Sequence, residues 1–290
     1  MAPYKARPTI RKAILGKKLA TAREAAGISV EEIAKRAGVT PPAIYRMESA
    51  VVAAKATSIP FFAKEYGITD EAEIERWVDW AKKARQRGVW TEAGGMVGPT
   101  FADYADAESL SKELRFWELG VLHGLLQTRQ YSEEVIRAAS TLRPGQVPSE
   151  RDEVTGLVKL REARKKLLEA EDGPRVWAVV GEAAVVTPPV ANGRDAHREQ
   201  IQHLLNLGET RVTIQVLPFS TGLHTGMSGS FTIMSLEGAD MVFREGYGDG
   251  SFIDDDERVH VYRGRYERLQ AQALSISASR AFLHKTLREI

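Results

Sequence analysis

The chain has 290 residues and no cysteine, with 43% hydrophobic and 27% charged residues. A chain of this length can form about two domains of roughly 150 residues each, and the absence of cysteine excludes disulfides, thiolate nucleophiles and metal sites with cysteine ligands. The formal net charge is only +1, but residues 1–50 carry ten basic and four acidic side chains, which leaves a charge of −5 for the rest. This asymmetry indicates an anionic partner for the N-terminal region.

No apolar stretch is long enough to span a membrane. The longest, residues 176–186, contains Glu182 and falls short of the ~20 residues that a spanning helix needs. The basic N-terminus has no apolar core of the kind found in signal peptides. We therefore expect a cytoplasmic protein that associates with the nucleoid.

Five helices are predicted in residues 1–88, which we expect to form the first domain. Three of them end at a glycine, the residue that most easily adopts a left-handed conformation: Gly27, Gly38 and Gly67. Three begin after a polar side chain that can cap free backbone N–H groups: Ser29, Thr40 and Asp70. The fourth helix is predicted for residues 58–66 and the fifth for residues 70–87.

Residues 29–48 have the features of a helix-turn-helix. Ala34 permits close approach of the helices, Gly38 supplies the turn, and we expect Val39 to fill the angle between the helices from inside. The rest of the shared core is predicted as Ile33, Ala37, Ile44 and Met47. The third helix then presents its N-terminal half outward, which is the part that fits the major groove of DNA. The residues predicted to read bases are Thr40, Pro41, Pro42, Tyr45 and Arg46.

Positions that flank this helix are predicted to contact DNA phosphates: Lys17, Lys18, Arg23, Ala43 and Lys55. Because prolines cannot donate hydrogen bonds, direct readout depends on Thr40, Tyr45 and Arg46, and the prolines are expected to contact thymine methyl groups. The same helical geometry also serves as a protein interface in other proteins. The local charge of +6 favours DNA over that alternative.

Residues 89–99 are rich in glycine and are predicted as a linker, so the second domain is expected to span residues 100–290. Its helices are predicted for residues 107–119, 132–139, 152–171, 195–207, 256–274 and 277–289. Four runs rich in β-branched or aromatic residues are predicted as strands: 176–180, 211–217, 230–236 and 241–244. The fold class is therefore a helical domain followed by a mixed α+β domain with a small sheet.

Several segments of the second domain approach catalytic motifs without completing them. Residues 226–230 approach a nucleophile elbow, but they end in serine and precede a predicted strand. Residues 246–250 lack the lysine and the helix that follow a phosphate loop. The acids at 254–256 lack the spacing of a calcium loop, and no two of the six histidines are four residues apart. We expect no enzymatic activity, no metal and no cofactor.

Part of the first domain resembles the XRE family of helix-turn-helix regulators, which is related to phage lambda repressor. The residues that carry the resemblance are Ile33, Ala34, Gly38, Ile44 and Glu48. It implies a five-helix bundle in which the third helix reads bases and an arginine of the first helix, here Arg23, contacts phosphate. The sequence departs from many relatives at Val30, Pro41 and Pro42, where a hydrogen-bonding side chain is common, and at Ala50, where glycine is common.

From residue 101 onward the chain resembles the second domain of actinomycete XRE regulators of the WhiJ-like type. The resemblance rests on Trp117, Glu118, residues 124–128, Tyr131, Glu182, Ala183 and residues 216–218, 229–231 and 273–275, together with Ser279. It implies an antitoxin-like regulator whose second domain binds a small acidic protein encoded by a neighbouring gene. Candidate contact residues for a partner or ligand are Trp117, Gln127, Glu182, Met227 and Phe231.

Three functions remain open for the second domain. Dimerisation is expected because one recognition helix spans a single half-site of a two-fold operator. A small-molecule sensor is the alternative, with a pocket framed by Trp177 and the glycine loops near Met227. An enzyme fused to a DNA-binding domain would require Glu182, His224 and Ser228 to lie within hydrogen-bond reach of one another.

Overall fold

The computed structural model describes residues 9–84, 99–140, 151–189, 193–236, 239–245 and 250–290. These residues form two compact units: the helices up to residue 84 lie in the first, and the elements from residue 99 onward, apart from Ala239, lie in the second. As the sequence predicts, the first unit is a helical helix-turn-helix region and the second is an α+β region. The mixed sheet of the second unit has six strands, two more than predicted. The predicted linker lies almost entirely outside the described residues.

The first unit contains the five predicted helices. They are α1 (Ile10–Ala25), α2 (Val30–Ala37), α3 (Pro41–Glu48), α4 (Ile59–Glu65) and α5 (Glu71–Lys83). The Ser29 side chain accepts a hydrogen bond from the Glu32 N–H at 3.1 Å, which caps α2 as predicted. Thr40 precedes α3 in extended conformation but makes no capping hydrogen bond through its side chain. The predicted end of the fifth helix lies outside the described residues.

The core of the first unit joins all five helices. Its most deeply buried large side chains are Ile14, Leu15, Leu19, Ile33, Ile44, Ile59 and Trp77. The predicted inward position of Val39 is wrong, because this side chain is 45% exposed. Its backbone N–H donates to the Ala34 carbonyl at 3.0 Å and closes the end of α2, which leaves the side chain on the outer side of the turn. Ala37 is only half-buried.

The second unit alternates helices with strands. Its helices are α6 (Pro99–Leu110), α7 (Arg129–Ser140), α8 (Arg151–Glu169), α9 (Glu182–Val186), α10 (Arg194–Leu207), α11 (Asp256–Gln272) and α12 (Ile276–Glu289). Its strands are β1 (Glu113–Glu118), β2 (Arg175–Gly181), β3 (Val212–Leu217), β4 (Phe231–Leu236), β5 (Ala239–Arg244) and β6 (Ser251–Ile253). All four predicted strands are present, with ends shifted by one or two residues.

The helix predicted for residues 107–119 is wrong beyond residue 110, which is most of its length. Helix α6 ends at Leu110, and β1 then occupies the third position of the sheet order β3-β2-β1-β4-β5-β6. Strand β1 pairs in parallel with β2 and antiparallel with β4, so its hydrogen-bonding groups are used on both sides. Strand β6 and helix α9 were also not predicted, because each is very short.

Helices cover both faces of the sheet. The connections from β1 to β2 and from β2 to β3 contain helices, as parallel neighbours require. On one face, Trp117, Val179 and Ile233 form a core with Tyr262 and Tyr266 of α11. Helix α12 packs against β3 and α10. This arrangement buries the centre of the sheet and leaves the outer surfaces of α8 and α10 open.

Candidate nucleic-acid interface

Helix α3 separates a buried face from an exposed one. Ile44 and Met47 are three residues apart and are 1% and 9% exposed, so they point into the core. Tyr45, at 55% exposed, lies on the outer side together with Arg46. Thr40 and Pro42 are exposed at the start of the helix, and Pro41 is half-buried. The structure therefore brings the predicted base-reading residues together on one surface, with Pro41 at its edge.

Val39 belongs to the same surface, although its position in the sequence predicts an inward side chain. It lies immediately before Thr40 and exposes an apolar side chain at the start of α3. Gly38 is in the left-handed conformation, with φ 66°. A left-handed residue that closes a helix reverses the direction of the chain after it, and this glycine is the signal that could have indicated an outward Val39.

The position of α3 depends on a close approach to α1 at Gly16. A Cβ atom at this glycine would lie 2.5 Å from the Glu48 carbonyl oxygen and 2.9 Å from that of Met47. Real Cβ atoms essentially never come within 3.0 Å of such a neighbour. The two backbones can therefore meet only because residue 16 has no side chain.

The predicted phosphate contact by Arg23 is not supported by its surroundings. Its side chain is 8% exposed and forms two hydrogen bonds with the Glu48 carboxylate, at 2.7 and 3.0 Å. A third guanidinium N–H donates to the Ile28 carbonyl at 2.9 Å. The hydrogen bond and charge of Glu48 raise the pKa of Arg23 above its ordinary value. Arg23 thus joins α1 to the end of α3 and has little surface left for DNA.

The other predicted phosphate contacts differ in how open they are. Lys18 Nζ lies 3.2 Å from a carboxylate oxygen of Glu73 and 5.7 Å from the centre of the Trp77 ring, so α5 holds it. The Ala43 N–H donates to the Thr40 carbonyl at 2.8 Å, which occupies the group that a phosphate would need. Lys17 is half-buried and Lys55 is exposed. Lys55 has the most open position of this set.

The segment after α3 is held in an unusual backbone conformation. Ala50 has a φ of 55°, and it is the one residue other than glycine with positive φ in the described part of the chain. This region favours glycine because a Cβ atom is crowded there. The Val52 N–H donates to the Arg46 carbonyl at 2.8 Å, and Lys12 Nζ donates to the Val51 carbonyl at 2.8 Å. These bonds fix the backbone directly behind the exposed face of α3.

In the second unit, most of the predicted contact residues are part of the core. Trp117, Gln127 and Phe231 are 0%, 2% and 4% exposed. Trp117 Nε1 donates to the Gly226 carbonyl at 3.0 Å, and the Glu182 carboxylate accepts the Phe219 N–H at 2.7 Å. Met227 is 53% exposed. The predicted set is therefore not gathered into one accessible site.

The geometry does not favour the enzyme hypothesis. The Glu182 carboxylate binds the backbone at Phe219, and His224 Nδ1 accepts the Gly226 N–H at 3.2 Å. Among the residues that the structure describes, no hydrogen bond joins Glu182, His224 and Ser228 to one another. The acid, base and nucleophile of that hypothesis are thus not assembled.

A buried polar cluster that the sequence did not reveal lies beneath α8. Arg164 pairs with Glu108 through two hydrogen bonds, at 2.9 and 2.7 Å. His123 Nδ1 accepts the Leu125 N–H, so the other ring nitrogen carries the proton and donates to the Tyr104 hydroxyl oxygen at 2.6 Å. Burial lowers the pKa of His123, with Arg164 adding to the effect. The cluster explains how a histidine is accommodated at this buried position.

The fold and exposed helix of the first unit define a helix-turn-helix DNA-binding domain. Residues 14–77 match a family model described as a helix-turn-helix domain. Residues 101–285 match the model described as domain of unknown function DUF5753, which covers more than half of the chain, and the chain belongs to that family. No curated protein and no solved structure matches the chain. In the part of the chain described, every helix is too short or too polar to cross a membrane.

Proposed function

We propose that this protein is a sequence-specific transcriptional regulator that places α3 in the major groove of DNA. The observation that carries the proposal is the exposed outer side of α3, formed by Pro42, Tyr45 and Arg46, on a helix-turn-helix whose opposite face is buried. Arg46 is the principal base-reading residue, because its guanidinium can donate two hydrogen bonds to guanine. Thr40 and Tyr45 add polar contacts, and Val39, Pro41 and Pro42 contact thymine methyl groups.

In our proposal, lysines around this face contact the DNA phosphates. Lys55 follows α3, and Lys35 lies in the last turn of α2. Neither lysine has an ion-pair partner among the described residues. Lys17 is a third contributor from α1. Arg23 and Lys18 instead support the fold, since Glu48 and Glu73 hold them.

We also propose a homodimer, with dimerisation carried by the second unit. The geometry of operator DNA supports the dimer, because two half-sites one helical turn apart require two recognition helices. The WhiJ-like resemblance supports an antitoxin-like pairing with a small acidic protein. The loop after β3 offers a surface for such contacts, because Phe219, Leu223 and Met227 are 63%, 88% and 53% exposed. A regulator of this kind acts in the cytoplasm, at the nucleoid.

Selection of binding sites from a library of random DNA duplexes tests the proposed function without assuming an operator sequence. The full chain is expected to enrich two related half-sites whose centres lie about 34–36 Å apart along the helix axis. A variant in which Tyr45 and Arg46 are both alanine serves as the matched control, because both side chains are exposed and their removal leaves the core intact. Failure of the unmodified chain to enrich any sequence would contradict the proposal.

A further inference from the structure

A groove lies between α8 and α10 in the second unit, on the side away from α11. Its volume is about 1110 Å³, slightly above the ~300–1,000 Å³ of typical small-molecule sites. Leu125 contributes to its floor and is fully buried, and both helices pack against the turn at Gly124–Leu126. Leu168 and Leu207 add apolar surface from the two walls. The base of the groove is therefore apolar, and the same turn holds both of the helices that form its walls.

Basic side chains outnumber acidic ones around this groove. The basic residues are Arg129, Lys159, Lys165, Lys166 and Arg211, and the acidic ones are Glu162 and Glu169. Lys165 pairs with Glu162 at 2.5 Å, and Arg211 donates to the backbone carbonyls of Gly173 and Glu171. Arg129, Lys159 and Lys166 have no hydrogen-bond or ion-pair partner among the described residues. Three cations are therefore available to a ligand, opposed by the Glu169 carboxylate and by Glu162, whose Oε1 atom is buried and, beyond its ion pair with Lys165, has no hydrogen bond.

A histidine provides a separate sign of a missing polar partner. His203 on α10 lines the groove, and its Nε2 atom is buried without a hydrogen bond. Buried polar atoms are rarely left unpaired, because a group that has lost its water without gaining a hydrogen bond destabilises the fold. Burial lowers the pKa of His203, with Lys165 adding to the effect and Glu162 opposing it. A neutral imidazole of this kind can bind a polar ligand atom.

We propose that this groove binds a small organic anion with an apolar body, such as a medium-chain carboxylate. The apolar body lies on Leu168 and Leu207, above the buried Leu125, and the anionic group lies near Lys159 and Lys166. The concave shape and apolar floor distinguish the groove from a DNA-binding surface, which follows the duplex and is dominated by phosphate contacts. This inference goes beyond the proposed DNA-binding function and is tested without DNA.

Calorimetric titration of the full chain with decanoate, decanol and decylammonium, each below its aggregation concentration, tests the charge and the apolar contribution together. We expect one decanoate per chain, with decanol weaker by about tenfold and decylammonium weaker still. A Lys159→Glu/Lys166→Glu variant is expected to weaken decanoate by about tenfold or more, since it replaces attraction by repulsion. His203→Phe keeps the apolar volume and is expected to weaken decanoate several-fold.

A Lys64→Glu/Lys82→Glu variant is the matched control, because it changes the net charge equally at exposed helix positions of the first unit. It is expected to bind decanoate as the unmodified chain does. Four results would overturn the proposal: no binding of decanoate, equal affinity for decanol, equal weakening in the control, or binding to phosphatidylglycerol vesicles without binding of free decanoate. An acidic peptide that binds in place of decanoate would also overturn it.

Discussion

Gly16 of α1 and Gly264 of α11 both lie inside helices, and packing gives these two glycines opposite roles. Gly16→Ala would place a methyl group against the backbone of α3, so we expect a loss of about 1–3 kcal/mol in unfolding free energy. Gly264 lies in α11, where a Cβ atom would meet nothing within 4 Å. Gly264→Ala is expected to gain about 0.5–1 kcal/mol from helix propensity. Equilibrium urea unfolding of both variants is the measurement, and two equal shifts would contradict the packing argument.

The pair formed by Arg23 and Glu48 makes a prediction that separates stability from DNA contact. Glu48→Ala leaves the buried Arg23 guanidinium without its carboxylate, and we expect a loss of about 3 kcal/mol. Glu24 also lies near Arg23, at 3.3 Å, but its side chain is 68% exposed. Glu24→Ala is therefore expected to cost less than about 0.5 kcal/mol. Thermal unfolding measures both losses. A similar loss of stability in the two variants would contradict the larger contribution that we assign to the pair of Arg23 and Glu48.

Glu118 predicts a pH dependence of stability. Burial raises its pKa well above the ordinary value of 4.5, and Glu245 adds to the effect. The folded protein then retains a proton that the unfolded chain has lost, so stability falls as pH rises above about 4.5 and levels off above the folded-state pKa. Each unit of pKa shift corresponds to about 1.4 kcal/mol.

Glu118→Gln removes this titration, so the variant should gain stability over the unmodified protein as pH increases. Urea unfolding at about pH 5 and about pH 8 checks the sign. An exposed carboxylate on α8, changed in Glu169→Gln, is the control. An advantage of Glu118→Gln that shrinks with increasing pH would contradict the buried, protonated carboxyl group.

Sequence alone identified the residues that act locally, and it missed those that act across the chain. Ser29 caps the N–H three residues away, and the turn glycines are confirmed because each depends only on its own backbone. Arg23 and Glu48 are 25 positions apart, and no local pattern shows that they meet. The outward Val39 likewise depends on the path of the chain after Gly38.

At the level of elements, strand β1 shows why charge patterns can mislead. The stretch ELRFWE carries charges at Glu113, Arg115 and Glu118, which resembles the polar face of a helix. In a central strand both faces are covered, and here Phe116 and Trp117 are buried on opposite sides. The four correctly predicted strands are bounded by glycine, proline or acidic residues, whereas β1 follows α6 with only two residues between them.

The exposed face of α3 could be predicted from the sequence because the buried face of the same helix could be predicted. Ile44 and Met47 fix the helix by the spacing of buried residues, so the outer positions follow from helical geometry. The groove between α8 and α10 was not predictable, since it depends on how two helices separated by a strand pack on the same turn. The one feature of the sequence that points to this groove is the high charge content of α8.

For the whole molecule, ion pairs reduce the effective charge of the N-terminal region. Lys18 and Arg36 pair with Glu73 and Glu65, acids that lie beyond residue 50 and are not counted in the local charge of +6. The number of cations available to contact phosphates is therefore smaller than the local charge of +6 suggests. We expect the logarithm of the DNA association constant to fall linearly with the logarithm of salt concentration, with a slope of about −0.9 for each phosphate contacted.

Fluorescence anisotropy with the selected duplex at several salt concentrations measures this slope. Lys55→Ala in each subunit of a dimer should reduce its magnitude by about two, one contact from each half-site. Lys18→Ala should leave the slope unchanged, because Glu73 already neutralises that lysine. A larger change for Lys18→Ala than for Lys55→Ala would reverse our assignment of phosphate contacts.

The most direct test of the central claim compares Arg46→Ala with Lys55→Ala on the selected duplex and on a scrambled duplex of equal length. Arg46→Ala is expected to lose about 1–3 kcal/mol per half-site on the selected duplex and much less on the scrambled one. Lys55→Ala is expected to weaken both duplexes alike. A uniform loss for Arg46→Ala, or an unchanged preference for the selected duplex, would contradict base reading by α3.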